Sequence, residues 1–150
     1  MTKSLETDVL YLLYDVARLM RTRADQRARR HGMTRAQWVI LSWLERQSGI
    51  SQSDLAGLVE VEPITVCRLV DRLEGRGFVE RRPDPKDRRI KRLHLTSKAG
   101  PVLDEIHAWR EELRHEVTAG ISDAALKSQV DTLLRMKSNL VQPPVFAQAV

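Results

Sequence analysis

Apolar residues recur every three or four positions over most of the chain, a spacing that predicts amphipathic helices. The first helix is predicted over residues 5–31 and ends at Gly32. Thr34 and Ser51 each stand three residues before a side chain that can complete an N-capping box, so they mark the starts of a second helix and a short third helix. The chain therefore opens with three helices in succession.

A fourth helix is predicted to begin near Pro63, since proline suits the first helical position, and to end within segment 75–77. Residues 78–82 and 91–95 are then predicted to be the two short strands of a hairpin, and in the second strand Leu93 and Leu95 alternate with polar residues, as a half-buried strand requires. Two more amphipathic helices follow. The predicted fold class is mainly α with a small β-hairpin, and the short turn between the third and fourth helices makes it a winged helix-turn-helix.

The composition is that of a folded chain without a membrane segment. Hydrophobic residues make up 42% of the 150 positions, and no apolar run approaches the roughly 20 residues that cross a bilayer. The chain starts without a signal-peptide pattern. Cys67 is the only cysteine, which excludes an internal disulfide and a cysteine-pair zinc site. We expect a cytoplasmic protein with no metal and no cofactor.

The net charge of +5 is concentrated in one short stretch. Segment 76–92 contains eight basic and three acidic residues, so basic and acidic residues balance over the rest of the chain. A focused positive patch on a neutral body is typical of a surface that binds phosphate groups. An ordinary solvated charge run is the alternative, and composition alone favours neither.

The predicted fourth helix has one apolar face, which includes Val66 and Val70, and one basic face. An α-helix fits the major groove of DNA, where an arginine can donate two hydrogen bonds to guanine. An ordinary amphipathic surface helix would show the same pattern. The predicted DNA-facing residues are Thr65, Arg68, Arg72 and Arg76 of this helix, with Ser51 and Gln52 at the start of the third helix.

The hairpin that follows strengthens the DNA-binding interpretation. Its tip, residues 84–89, is short, basic and stiffened by proline. Such a tip can enter a minor groove, where narrow A·T tracts attract arginine. The predicted contact residues of the tip are Lys86, Asp87, Arg88 and Arg89.

The run LVDRLEGRGFVERRPDPKDRRIKRLHLTSKAG, residues 69–100, resembles the signature of the MarR family of winged-helix transcriptional regulators. Within the chain, DRRIKRLHLT and MTRAQWVILSWL are similar to the SlyA-like branch. The resemblance implies that Arg68 contacts bases or phosphate and that Arg88, or its neighbour Arg89, enters the minor groove. It also implies that Asp87 orients these arginines rather than touching DNA.

Two features of the fourth helix stay open. Glu60 and Glu62 place carboxylates just before it. Glu62 can accept a hydrogen bond from a cytosine amine, but an interaction with the helix dipole is favoured. Cys67 borders the apolar stripe, and a buried, inert thiol is favoured over a redox sensor.

The resemblance also implies a homodimer built from the first and last helices. A winged helix of about sixty residues is near the lower size limit for an independent domain, and the outer helices carry apolar stripes of their own. A monomer that packs both stripes internally is the alternative. The expected organisation is a DNA-binding lobe at 34–99, a helical dimerisation region at 1–33 and 100–142, and a loosely ordered tail at 143–150.

The family commonly binds small anionic aromatic compounds between the dimerisation helices and the DNA-binding lobe. The resemblance therefore implies an effector such as an aromatic acid or its thioester. Both tryptophans in the candidate set are expected to be core residues more often than ligand contacts. The candidate effector-binding residues are Tyr11, Tyr14, Arg18, His31, Arg35, Trp38 and Trp109.

Together these features predict a sequence-specific transcriptional regulator, a repressor, that binds an inverted-repeat operator as a homodimer and is released by the effector. The alternative is an architectural DNA-binding protein with little sequence preference. An enzyme is disfavoured, because the chain shows no nucleophile–base pairing, no glycine-rich phosphate loop and no paired carboxylates in an apolar setting.

Overall fold

The computed structural model describes residues 7–59 and 61–141. Over these residues the chain forms four helices, a two-stranded antiparallel hairpin and two further helices, so the predicted fold class is confirmed. The predicted tail at 143–150 lies outside the described residues. The elements are α1 Val9–Arg30, α2 Arg35–Arg46, α3 Gln52–Val59, α4 Pro63–Gly75, β1 Val79–Pro83, β2 Lys91–Leu95, α5 Gly100–Thr118 and α6 Asp123–Val141.

Side-chain caps explain where α2 and α3 begin. Thr34 Oγ1 accepts from the Gln37 backbone N–H at 3.2 Å, and Gln37 Oε1 accepts from the Thr34 N–H at 2.9 Å, so the predicted capping box is formed. At α3, Ser51 Oγ accepts from the Asp54 N–H at 3.0 Å and donates to the Asp54 carboxylate. Thr96 caps a short 3-10 turn that leads into α5.

The described part of α1 begins at Val9, whereas the sequence pattern predicts a start at Leu5. The cause is Asp8, whose carboxylate accepts from the backbone N–H groups of Leu10 and Tyr11 at 2.9 and 3.0 Å. An aspartate satisfies N–H groups that the first helical turn leaves unpaired, so it fixes the helix start. Leu5 itself lies outside the described residues.

The core of the lobe lies between α2, α3, α4 and the hairpin. Its fully buried side chains include Leu41 of α2, Leu55 of α3, Leu73 of α4 and Leu93 of β2. The hairpin is joined to this core through backbone pairing as well, because Leu93 donates to the Ile50 carbonyl at 3.0 Å. The hairpin is therefore part of the lobe and does not project from it as a free arm.

The chain divides between Trp109 and Arg110 into two compact units. The first unit includes the end of α1, where Ala24 and Ala28 are buried, and the first half of α5, where Leu103 and Ile106 are buried. The second unit contains α6, which has no buried residue. The predicted division into a DNA-binding lobe at 34–99 and a dimerisation region separates the chain by expected function, not by packing. It stays a prediction.

Replacing Leu73 with alanine tests the core. The Leu73 side chain is fully buried, so Leu73→Ala is expected to lower the free energy of unfolding by about 2–5 kcal/mol. Urea denaturation followed by circular dichroism at a fixed protein concentration measures the change. Leu58→Ala on α3 is the matched control: Leu58 is 42% exposed and should cost less. Equal losses for the two variants would contradict the assigned core.

Candidate nucleic-acid interface

The outward face of α4 carries two arginines, Arg68 and Arg72, whose side chains have no partner within the described chain. Val66 and Val70 on the opposite face are fully buried, which fixes the orientation of the helix. Thr65, Arg68 and Arg72 are exposed, as predicted. Neither arginine side chain forms a hydrogen bond or an ion pair with another described residue. Both charges are therefore available to an external partner.

A third side of α4 is occupied by Arg81 of β1, whose side chain is 15% exposed. Its guanidinium lies 2.7 Å from the Asp71 carboxylate and 2.5 Å from that of Glu74. It also donates to Gln52 Oε1 at 3.1 Å and to the Cys67 carbonyl at 3.3 Å. Burial lowers the pKa of Arg81, but the hydrogen bonds to Asp71 and Glu74 raise it by more. Arg81 thus joins the hairpin to both helices of the helix-turn-helix.

Three residues predicted to face DNA have partners inside the protein. Ser51 is buried and caps α3, and Gln52 Oε1 accepts a hydrogen bond from the guanidinium of Arg81 on β1. Arg76 donates to the Gly32 carbonyl at 2.8 Å, and its guanidinium carbon lies 5.0 Å from the centre of the Phe78 ring. These three side chains are therefore engaged within the protein, whereas those of Arg68 and Arg72 have no such partner in the described chain.

The tip of the hairpin separates a paired arginine from an unpaired one. Arg89 donates to Asp87 through Nε and Nη2, both at 3.0 Å, and this interaction lowers the pKa of Asp87. Arg88 and Lys86 are exposed, and neither side chain has a hydrogen bond or ion pair within the described chain. Asp87 thus orients Arg89, in line with the role that the family resemblance implies for it.

Asp84 organises the hairpin tip, although the sequence analysis did not single it out. It is 5% exposed and accepts from the backbone N–H groups of Lys86 at 2.7 Å and Asp87 at 3.1 Å. It also pairs with Arg92, which donates to the Gly49 carbonyl at 2.9 Å. The hydrogen bond from Arg92, followed by those from the two backbone groups, lowers the pKa of Asp84. An aspartate between two prolines is a turn-forming signal that could have identified it.

Pairing divides the basic segment into structural and free cations. Of its eight basic side chains, four are paired with carboxylates, and Arg76 is bound to a carbonyl. Lys91, which the sequence analysis did not single out either, is exposed and has no such partner in the described chain. Five exposed cations of α4 and the hairpin have no hydrogen-bond or ion-pair partner among residues 7–59 and 61–141: Arg68, Arg72, Lys86, Arg88 and Lys91.

Glu62 is the N-cap residue of α4, and its side chain makes no capping hydrogen bond. It is exposed, so its carboxylate is free to act on the helix dipole or on an external donor. Glu60 lies outside the described residues. Cys67 is half-buried, with Sγ 4.0 Å from a guanidinium nitrogen of Arg81. The interpretation of Cys67 as an inert thiol stays a prediction.

The seven candidate effector residues fall into two groups within the first unit. Tyr11, Tyr14 and Arg18 lie on the first half of α1, where Tyr14 is 77% exposed. His31 follows the last residue of α1, about 25 Å further along the helix axis than Tyr14. The second group is His31, Arg35, Trp38 and Trp109. A single chain therefore does not bring all seven residues into one site.

The second group forms an aromatic and charged cluster. The ring centres of His31 and Trp38 lie 5.8 Å apart, and those of Trp38 and Trp109 lie 5.7 Å apart. His31 Nε2 is 3.1 Å from a Glu105 carboxylate oxygen that Arg27 also contacts, at 2.7 Å. The hydrogen bond from Arg27 lowers the pKa of Glu105. The cluster therefore joins α1, α2 and α5.

Two buried donors in this cluster lack hydrogen-bond acceptors. Trp38 is 3% exposed, and its Nε1 makes no hydrogen bond within the described chain. Arg35 Nε is also buried without a hydrogen bond, although it lies 3.3 Å from a carboxylate oxygen of Asp25. A buried donor without an acceptor is costly, so both atoms suit an added acceptor such as a carboxylate or a water molecule.

Neither a membrane span nor a metal cluster occurs in residues 7–59 and 61–141. No helix in this part of the chain is long and apolar enough to cross a bilayer. No three His, Cys, Asp or Glu side chains lie together there in a way that could hold a metal ion. The exposed cations are the surface chemistry that the lobe presents, and they suit a polyanion.

A helix-turn-helix with an outward arginine face, followed by a basic hairpin, defines the class of winged-helix DNA-binding proteins. Residues 33–91 match the model of the MarR family. The structure is similar to that of the transcriptional regulator PA3341, with 35% identity and a TM-score of 0.76 over 86% of this chain and 95% of that one. The chain belongs to the MarR family, as predicted. It is a DNA-binding transcriptional regulator and not an enzyme.

Two further solved structures share the fold. The transcriptional regulator SlyA is 28% identical, with a TM-score of 0.78 over 89% of this chain and 94% of that one. MepR from S. aureus, solved as a complex with DNA, is 24% identical, with a TM-score of 0.75 over 91% and 99% of the two chains. The match to SlyA agrees with the resemblance to the SlyA-like branch.

Replacing Asp84 with asparagine tests the organisation of the hairpin tip by its pH dependence. Because the pKa of Asp84 is lowered in the folded state, its ionised form stabilises the fold above the unfolded pKa, and this stabilisation is lost as the pH falls through the folded value. Asp84→Asn is therefore expected to be less stable than the wild type at pH 7. The difference should shrink below about pH 4. Urea denaturation at pH values between 7 and 3 measures it.

The matched control is Asp104→Asn on α5. Asp104 is exposed and has no side-chain hydrogen bond within the described chain, so this variant should show no comparable loss at pH 7. A stability difference between Asp84→Asn and the wild type that stays constant down to pH 3 would rule out the proposed carboxylate network.

Proposed function

We propose that this regulator is a homodimeric repressor that binds an inverted-repeat operator and is released by a small anionic aromatic ligand. The observation that carries the proposal is the set of exposed cations without partners, which occurs on α4 and on the hairpin that follows it. Ion pairs within the protein take up four of the other charges of this region, and Arg76 donates to a backbone carbonyl. Within this region, the exposed cations without a partner in the described chain thus lie on two adjacent elements.

The two elements suit two grooves of one duplex. In the proposed complex α4 enters the major groove, where Arg68 donates to a guanine edge. The hairpin places Arg88 in the adjacent minor groove, while Lys86 and Lys91 contact phosphate groups. Arg81 supports this arrangement, because it binds α3, α4 and β1 together.

The outer helices support the proposed homodimer. Leu10 and Tyr14 on α1 are 61% and 77% exposed, and Leu134 and Leu140 on α6 are 59% and 86% exposed. Such apolar stripes are typical of surfaces that a second copy covers. A two-fold axis would place two α4 helices about 34 Å apart, which requires an inverted repeat in the DNA.

A contact between the aromatic cluster and α4 supports ligand-controlled release. Arg76 is the C-cap residue of α4, and its guanidinium donates to the backbone carbonyls of Gly32 at 2.8 Å and His31 at 3.5 Å. His31 also contacts Trp38 and Glu105. In the proposed mechanism, an anionic ligand accepts from the two donors of the cluster that make no hydrogen bond within the described chain, displaces the turn after α1 and changes the spacing of the two α4 helices.

Replacing Arg88 with alanine tests the DNA-binding geometry. An operator is first selected from a random duplex pool, and affinity is then measured by fluorescence anisotropy. Arg88→Ala is expected to weaken operator binding by about 1–3 kcal/mol, because it removes a groove contact. Lys91→Ala should weaken binding to all duplexes similarly and reduce the salt slope by about 1.

Arg114→Ala is the matched control, since it removes an exposed arginine from the part of α5 outside the first unit. It should leave operator affinity unchanged. A duplex with a single half-site should bind far more weakly than the inverted repeat. Operator binding that Arg88→Ala does not alter would remove the hairpin from the interface. A specificity ratio below about 10³ would instead favour an architectural protein.

Replacing Arg76 with alanine tests the proposed route of ligand control. In the wild type, an aromatic acid should weaken operator binding by about 5–150-fold, the usual range for coupled sites. Arg76→Ala should still bind the acid, with a change in tryptophan fluorescence, but should lose most of its effect on operator affinity. The neutral amide of the same acid is the control ligand. An unchanged ligand effect in Arg76→Ala would exclude this route.

A further inference from the structure

Ile64 is an exposed apolar side chain at the N-terminal end of α4, one helical turn before Arg68. It is the second residue of α4 and is 61% exposed. Within the described residues of the lobe, the other exposed large hydrophobic side chains are Leu58 at 42% and Ile90 at 40%. Ile64 does not belong to the core cluster or to the partly buried residues packed against it. Packing within the chain therefore does not explain it.

The helical repeat places Ile64 beside Arg68. The two residues are four positions apart, so they lie one turn apart on the same face of α4, separated by about 40° around the axis. The buried residues Val66 and Leu73 lie on the opposite face. Ile64 and Arg68 thus occupy the centre of the outward surface, and Arg72 extends the same surface by one further turn.

We propose that Ile64 is a specificity-determining residue that contacts the C5-methyl group of a thymine beside the base contacted by Arg68. The inference rests on the proposed function, in which this face of α4 enters the major groove. There the thymine methyl is the apolar feature that distinguishes thymine from cytosine, and an apolar side chain recognises it by contact. Isoleucine is large enough to cover a methyl group and offers no polar atom to any other base edge.

The charges around Ile64 favour DNA over a protein partner as the occupant of this face. Arg68 and Arg72 follow Ile64 along the same surface at intervals of one helical turn, and both lack partners in the described chain. Fully buried protein–protein patches are depleted in charged residues, whereas base edges beside phosphate groups suit a mixed apolar and cationic surface. A thymine next to a guanine offers a methyl group to Ile64 and two hydrogen-bond acceptors to Arg68.

The test is a cycle that removes the methyl group from the DNA and the side chain from the protein. Each thymine of one half-site of the selected operator is replaced in turn by uracil, which lacks only the methyl. For the wild type, one such replacement should weaken binding about fourfold, the value of one buried methyl-sized group. Ile64→Ala should bind the thymine operator more weakly and show no further loss at that position. Ile64→Val, which keeps part of the contact, should lie between the two.

Leu58→Ala serves as the control, because it shortens an exposed apolar side chain of α3 and should retain the full fourfold effect of the uracil replacement. Thermal unfolding should be unchanged in Ile64→Ala, since the side chain is exposed. Should every uracil replacement affect the wild type and Ile64→Ala equally, the thymine contact is overturned while the operator itself stands. Should no preferred operator emerge from the random pool, both this inference and the proposed function are overturned.

Discussion

The geometry of the DNA-binding lobe depends on one partly buried guanidinium. Arg81 leaves β1, lies along α4 between Asp71 and Glu74, and reaches Gln52 of α3. A charge this far from solvent is tolerated only when it is paired and hydrogen-bonded, and here two carboxylates and two further acceptors meet that need. The consequence is geometric: the hairpin cannot change its angle to α4 without leaving that guanidinium unpaired.

The same logic explains why so basic a segment is ordered. Asp84 and Asp87 hold Arg92 and Arg89, and Asp84 also binds two backbone N–H groups of the tip. These carboxylates reduce the repulsion among neighbouring cations and fix the loop that carries Arg88. A loop that is ordered before binding loses less conformational entropy when a partner arrives. The paired cations therefore shape the surface, and the cations without partners in the described chain are left for an external partner.

Local chemistry made much of the fold predictable from the sequence. The capping residues Thr34 and Ser51 act within their own helical turn, and the two faces of α4 follow from its periodicity, so both could be derived from neighbouring residues. The contacts of Arg76 with Gly32 and of Arg81 with Gln52 could not, because these partners are 44 and 29 positions away and only the fold brings them near. Periodicity thus shows that an arginine is on a helix face, but not whether an acceptor already occupies it.

The contacts of α4 also restrict how a ligand could act on DNA binding. Its C-terminal end is held by Arg76 on the turn after α1, its side by Arg81 on β1, and its apolar face by the core. Rotating α4 alone would break all three sets of contacts, so the structure favours a movement in which α4 keeps them and shifts together with its attachment to the turn after α1. Because Arg76 contacts the same turn as His31, the cluster of His31, Trp38 and Trp109 adjoins that attachment. Under the proposed function, the operator is therefore released because the distance between two intact lobes changes. The contacts that Arg68 and Ile64 make within each half-site do not themselves have to change.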